Sequence, residues 1–275
     1  MTLSAEWLAL QREAQLAAEQ IATGVTILGR ANHAQTGLYS QAFFGLSIGL
    51  ERIGKLIVVA NHAIQNNGNF PTDSDLRKIG HELRKLLSTC DLIGKAIKPE
   101  GAYTSRPADH IHRGIEETLS EFATRSRYYN LAYIAGGAGG QSDPIGTWWE
   151  NVAKPICDRH YPESQRRKDE AQAAFMGKLL DRHSMVIHHT EEGAEINDLG
   201  TFFARAGVTV VVQKYGRLYM LQIVRWLSSI ITELSRRGAY EKRIEPLLGL
   251  DEPFWIFRGD DRSLLKRKTW SIYRM

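Results

Sequence analysis

The stretch DSDLRKIGHELRKLLSTCDLIGKAI, residues 73 to 97, decides the fold. Leu76, Ile79, Leu83, Leu86, Cys90, Ile93 and Ile97 recur at steps of three and four. That spacing lines apolar side chains along one stripe of an α-helix, because each residue advances about 100° around the axis. The pattern predicts one continuous helix of about seven turns. Pro71 precedes it, and Thr72, Asp73, Ser74 and Asp75 are all residue types suited to cap a helix start.

The same rhythm continues on either side. Leu10, Ala14, Ala17, Ile21 and Leu28 predict a helix over about residues 5 to 30. Tyr39, Phe43, Leu46, Leu50, Ile53, Ile57, Ala60 and Ile64 predict a second, stopped by the polar turn Asn66-Asn67-Gly68-Asn69. Ile115, Leu119, Phe122, Tyr129 and Tyr133 predict a fourth, from about 107 to 134. The expected fold is therefore all-α, with an antiparallel four-helix bundle over residues 1 to 135. The glycine-rich segment AGGAGGQSDP (135 to 144) breaks the chain, and 136 to 144 is read as a link. A second set of long helices is expected over 145 to 275, at about 145 to 160, 164 to 190 and 207 to 237, packing on the bundle. The last carries Val212, Tyr215, Tyr219, Ile223, Trp226 and Ile230 and is apolar on more than one face, which suits a central position or an oligomer interface.

The 275-residue chain is 43% hydrophobic and 24% charged, the balance of a folded protein that needs no staples. Two cysteines, Cys90 and Cys157, exclude a disulfide scaffold and fit a reducing cytoplasm. The first residues lack the basic stretch and apolar run of a signal peptide, and no apolar run of about 18 residues predicts a membrane span. A net charge of +4 permits a phosphate-bearing partner without demanding one.

One stretch carries chemistry. LLDRHSMVIHH (179 to 189) sets one arginine and three histidines among apolar residues. On the predicted helix, Lys178, Arg182 and His189 share a narrow arc, Asp181 and His188 share another, and His183 falls on the apolar side. The combination suits metal-free phosphodiester cleavage. A neutral imidazole, His188 or His189, takes a proton from a ribose hydroxyl while the forked guanidinium of Arg182 holds the phosphate. The plainer reading is a charged helix edge that carries histidines. Zinc is the weaker alternative, because the spacings of one, five and six do not converge on an ion. His110 and His112 with Asp109 offer a second such cluster, at a spacing that suits a strand better than a helix. No metal or cofactor is expected. No glycine-rich phosphate loop, serine or cysteine nucleophile motif, or dinucleotide fingerprint is present.

Arg125 and Arg127 beside Tyr128, Tyr129 and Tyr133 combine cations with stacking surfaces, a mixture suited to single-stranded RNA. The competing reading packs the tyrosines into the bundle. His81, beside Lys78 and Lys85, is either a phosphate contact in a basic groove or part of a solvated helix face. The runs Arg166-Arg167-Lys168 and Lys266-Arg267-Lys268 read as solvated surface, and Trp148-Trp149 as a packing anchor between the two halves.

AFFGLSIGLERIGKLIVVANHAI (42 to 64) and DLRKIGHELRKLL (75 to 87) resemble the second and third helices of HEPN-superfamily proteins, the resemblance covering about residues 36 to 135. Those are prokaryotic toxin and abortive-infection proteins that typically dimerise. Many are metal-independent ribonucleases, while others bind nucleotides or RNA or act as scaffolds. The resemblance implies a cytoplasmic, RNA-directed endoribonuclease of antiviral defence or stress response that self-associates. The family's active pattern places an arginine and then a histidine on the fourth helix. Here RSRYYNLAY (125 to 133) has Arg127, with Tyr133 near where the histidine would fall. The pattern reappears outside the resembling region as Arg182-His183 followed by His188 and His189. The rival expectation is a non-catalytic helical module that binds a nucleotide or a partner protein.

Overall fold

A computed structural model describes residues 3–137, 142–180 and 186–272. Among these the chain is all-α, with eleven α-helices and a single two-stranded hairpin. α1 (Ala5–Leu28) and α2 (Gly37–Gln65) lie against each other over most of their lengths and form the first layer. Their backbones approach closely because small residues face the contact. A Cβ at Gly49 would lie 2.6 Å from Cγ1 of Ile21 and 3.0 Å from its backbone nitrogen, so any larger residue there would push the helices apart.

The stripe over 73 to 97 is real, but not continuous. α3 (Asp73–Ile79) ends at Gly80, whose φ of +70° is open to glycine and strained for other residues. α4 (Leu83–Ile97) then begins afresh. The expected seven-turn helix is thus two helices, and the reason is burial. Leu83, Leu86, Leu87, Cys90, Ile93 and Ile97 enter the core, whereas no residue of α3 is buried. Thr72 caps α3 in a reciprocal capping box with Asp75, which holds the exposed Asp75 carboxyl down at about 2.

The helix expected over 107 to 134 divides for the same reason. α5 (His110–Thr124) buries Ile111, Ile115, Leu119 and Phe122. Past Arg125 the chain makes a 3₁₀ turn and then α6 (Tyr129–Ile134), which has no buried residue. Beyond Phe122 the large apolar side chains Leu131 and Ile134 stay exposed, so they do not hold the helix on the core.

Asp143 caps α7 (Pro144–Trp148), and a π-helical turn at Trp149–Ala153 leads directly into α8 (Lys154–His160). Trp148 is fully buried against Phe43 of α2, with ring centroids 5.4 Å apart. α9 (Glu163–Leu180) precedes the hairpin of β1 (His188–His189) and β2 (Glu195–Ile196). The helix expected over 164 to 190 therefore does not reach 188. α10 (Leu199–Arg236) starts eight residues earlier than expected, behind the cap of Asp198 on the Thr201 amide, and runs 38 residues through the molecule. The C-terminal segment turns back over it and ends with α11 (Asp261–Lys266). One hydrophobic cluster joins Leu46 and Ile53 from the first half to Trp226, Ile230 and Phe254 from the second. Among the described residues no helix is long and apolar enough to cross a membrane.

Candidate functional site

The polar groups converge where the hairpin meets the first turns of α10. The hairpin turn is closed by the Thr190 amide donating to Ala194 O at 2.8 Å and by Gly193, whose φ is +83°. That turn carries Glu191 inward, although it lies in a short polar loop, and leaves it only 6% exposed. Two groups from other parts of the chain meet it. Tyr39, in the first turn of α2, donates its hydroxyl to Oε1 at 3.2 Å. Arg205, on α10, donates to Oε2 and also reaches Oε1 of Glu192 at 3.4 Å. The Arg205 guanidinium lies 4.4 Å from the ring centroid of Trp149, the tryptophan that begins the π-helical turn. Burial first, and Glu191 second, keep the Tyr39 phenol protonated far above its usual range.

His33, in the connection between α1 and α2, lies against this pair. It is 8% exposed, and neither ring nitrogen has a hydrogen-bond partner. Its ring meets Phe202 edge-on at 5.1 Å and His188 at 6.4 Å. Burial pushes its pKa down, Glu191 opposes that shift, and Arg205 and His188 add to it. His33 is therefore a neutral imidazole at physiological pH, with two unused nitrogens. His188 is exposed on β1 and packs on Phe202 at 5.3 Å.

The structure rearranges the residues singled out by the sequence. His188 and His189 sit on a strand, not on a helix shared with Lys178, so the helical arc expected for Lys178 and His189 does not form. Successive strand residues face opposite ways, so His189 points away from the side on which His188 meets His33. Arg182, with Asp181 and His183, lies outside the described residues. Lys178 is exposed in the last turn of α9. His81 stands in the break between α3 and α4, with Nδ1 2.8 Å from Glu51, which also holds Lys55. A carboxylate, not a basic groove, is its neighbour.

Arg125 and Arg127 are exposed at the end of α5, and Arg127 lies over the Phe44 ring at 4.9 Å. Tyr128 and Tyr133 are about two-thirds exposed, at 69% and 68%, and so present open stacking faces instead of packing in the bundle. Phe44 follows Tyr39 by five residues, so this aromatic surface and the Glu191 centre share one end of α2.

A second polar network was legible only in part. Asp109 caps α5 and pairs with Arg159 at 2.7 Å, and Arg159 also donates to the Tyr219 hydroxyl at 2.8 Å. His160 stacks flat on Tyr215 at 3.7 Å. His112 is buried and 2.8 Å from the Gln222 side-chain oxygen. His110 and His112 are thus engaged separately. Among the described residues no group of three or more His, Cys, Asp or Glu is placed to hold a metal ion.

His33, Tyr39, Glu191 and Arg205 carried no sequence signal. They come from four separate segments, and none completes a motif by spacing. Comparison of the chain with protein-family models, with curated proteins and with solved structures finds no match.

Proposed function

We propose that this is an RNA-directed protein of the HEPN-like kind, acting in the cytoplasm, that cleaves RNA without metal at the face where β1 meets α10. The observation that carries the reading is the pair of imidazoles. His188 is exposed, and behind it stands a neutral His33 with no partner on either nitrogen, beside the Glu191–Arg205 pair. His188 is the group that reaches a ribose hydroxyl or leaving oxygen and exchanges its proton. Arg182, six residues before it, is the phosphate-holding cation of this reading. Arg205 is a positioning residue, since its charge is spent on Glu191 and Glu192. Arg125, Arg127, Tyr128 and Tyr133 supply the cationic stacking surface along which single-stranded RNA would lie. The exposed apolar side chains Leu131 and Ile134 beside them form the surface at which a second copy would pack.

A specific observation favours a second reading, RNA binding without chemistry. Both His33 nitrogens are shielded, and the Tyr39–Glu191–Arg205 group satisfies itself.

The test is incubation with total cellular RNA in EDTA, using the parent protein and the variants Arg182→Ala, His188→Ala, His189→Ala and Arg127→Ala. The cleavage reading expects chelation-resistant cutting that is lost in Arg182→Ala and His188→Ala and retained in Arg127→Ala with weaker substrate binding. RNA retention without cutting, lost in Arg127→Ala, supports the binding reading. Absence of both cutting and retention in the folded protein defeats both.

A further inference from the structure

α10 carries two buried arginines eight residues apart, and their surroundings differ. Arg225 is 5% exposed and, although its Nε has no partner, both of its terminal nitrogens are engaged and it has a counter-charge. It pairs with Asp261 at 2.8 Å, donates to Gly259 O at 2.9 Å, and lies 3.5 Å from the Tyr103 ring centroid. Arg217 is 4% exposed and, among the described residues, has no carboxylate within ion-pair distance. Its one hydrogen bond is a long one, from Nη2 to Leu265 O at 3.4 Å, and its Nε has no partner. A buried guanidinium without a counter-charge is costly, because the interior does not replace the water it has lost.

Arg217 lines a cleft of about 710 Å³ between the end of α1, the middle of α10 and the segment around α11. Lys214, Arg262, Lys266 and Lys268 line the same cleft, and among the described residues no acidic one does. Gly29 forms the wall beside Arg217. A Cβ there would lie 2.4 Å from Arg217 Nη1, so only glycine leaves the guanidinium in place. The neighbouring Arg267 turns away, over the Trp270 ring at 4.6 Å.

The geometry points to a binding site for a compact polyphosphate group, with Arg217 as the forked donor at its floor and four flexible cations around the rim. One phosphate monoester carries about 1.5 to 2 negative charges at neutral pH, less than half of what five cations would balance. Two or more phosphoryl groups in one molecule match the cleft better. Arg217 lies about three turns along α10 from Arg205, and the site is independent of the ribonuclease reading. A free inorganic triphosphate and a nucleoside triphosphate share the recognised chemistry.

The experiment is calorimetric titration of the full chain with inorganic triphosphate, ATP, inorganic phosphate, sulfate and an RNA oligomer without terminal phosphates, at two salt concentrations. It is repeated on Arg217→Met, Gly29→Ala and Lys266→Gln/Lys268→Gln. Triphosphate is expected to bind at least ten-fold more tightly than sulfate, more weakly at high salt, and to raise the Tm. Arg217→Met should lose at least ten-fold in affinity while its own Tm holds or rises, because an unpaired buried charge has been removed. A purely structural arginine would instead lower it. The lysine double variant should lose several-fold with an unchanged fold. Equal affinity for ATP and triphosphate assigns the cleft to the phosphates alone, and tighter ATP binding places the nucleoside there too. Triphosphate binding no tighter than sulfate, or unaltered in both Arg217→Met and the lysine variant, overturns the proposal. Binding of an unphosphorylated RNA oligomer with none of triphosphate overturns it in favour of a nucleic-acid surface.

Discussion

The two halves of α10 have the same backbone but are held in different ways. From Met220 to Leu234, nine apolar side chains are 0 to 1% exposed, and this half threads the core on all sides. From Thr201 to Val211 no residue is buried. The first half leans on α9 and the hairpin and is fixed by polar groups: the Asp198 cap, the Arg205–Glu191 pair and the contact of Phe202 with two imidazoles. Hydrophobic burial is strong and indifferent to direction, whereas ion pairs and hydrogen bonds fix geometry at a smaller net gain. One half is held by burial, and the other is held in place by its polar contacts.

That contrast can be broken most sharply in the core. Trp226→Ala removes a large side chain 1% exposed and should lower stability by about 3 to 5 kcal/mol, read by urea denaturation. A loss under about 1 kcal/mol would mean that the C-terminal half is not the anchor.

In the N-terminal half, Arg205→Ala leaves the Glu191 carboxylate buried against a phenol alone. The expected cost is about 3 kcal/mol. Combining Arg205→Met with Glu191→Gln should recover more than half of it, since neither remaining group is a stranded charge. A double variant no better than Arg205→Ala would show that packing, not charge, is what Arg205 supplies.

Acidification sharpens the comparison next. Burial depresses the pKa values of His33 and His112 below the ordinary 6.5, so below that pH the unfolded chain takes up protons that the folded chain refuses. Stability should be fully present above about pH 6.5 and should fall as pH drops from there toward the lowered folded values. His33→Phe, beside Phe202, and His112→Gln, beside Tyr219, should each remove a separate part of that slope. A slope unaffected by either change would locate the pH sensitivity elsewhere.

The smallest effect belongs to Val210→Lys. Val210 is 64% exposed in the N-terminal half, and the change should stay within about 0.5 kcal/mol in thermal unfolding. The same substitution at Ile230, which is fully buried, should prevent folding.

Much of the architecture was readable from spacing. Thr72 caps as its residue type suggests, Leu83 to Ile97 bury one face, and the stripe through Tyr219, Ile223, Trp226 and Ile230 lies in the core. Spacing misled where a helical rhythm had no core beneath it. Leu76 and Ile79 continue the stripe of α4 in sequence, yet Gly80 separates them from it. His188 and His189 continue the rhythm of α9, yet they lie on a strand. The site was less legible. Of the residues gathered around His33 and Glu191, the sequence pointed for chemistry only to His188, and it placed that residue on the wrong kind of element.

What the sequence determined by itself is the helical class, most helix starts and the identity of the central helix. Those depend on interactions within a few residues, and a period of 3.6 records them directly. Tertiary structure alone decided that Tyr39, Glu191 and Arg205 share one contact, that His33 loses its water, and that Arg217 is buried without a carboxylate among the described residues while Arg225 has one. Each is a matter of which distant segment arrives beside a charge, and no local pattern records that arrival.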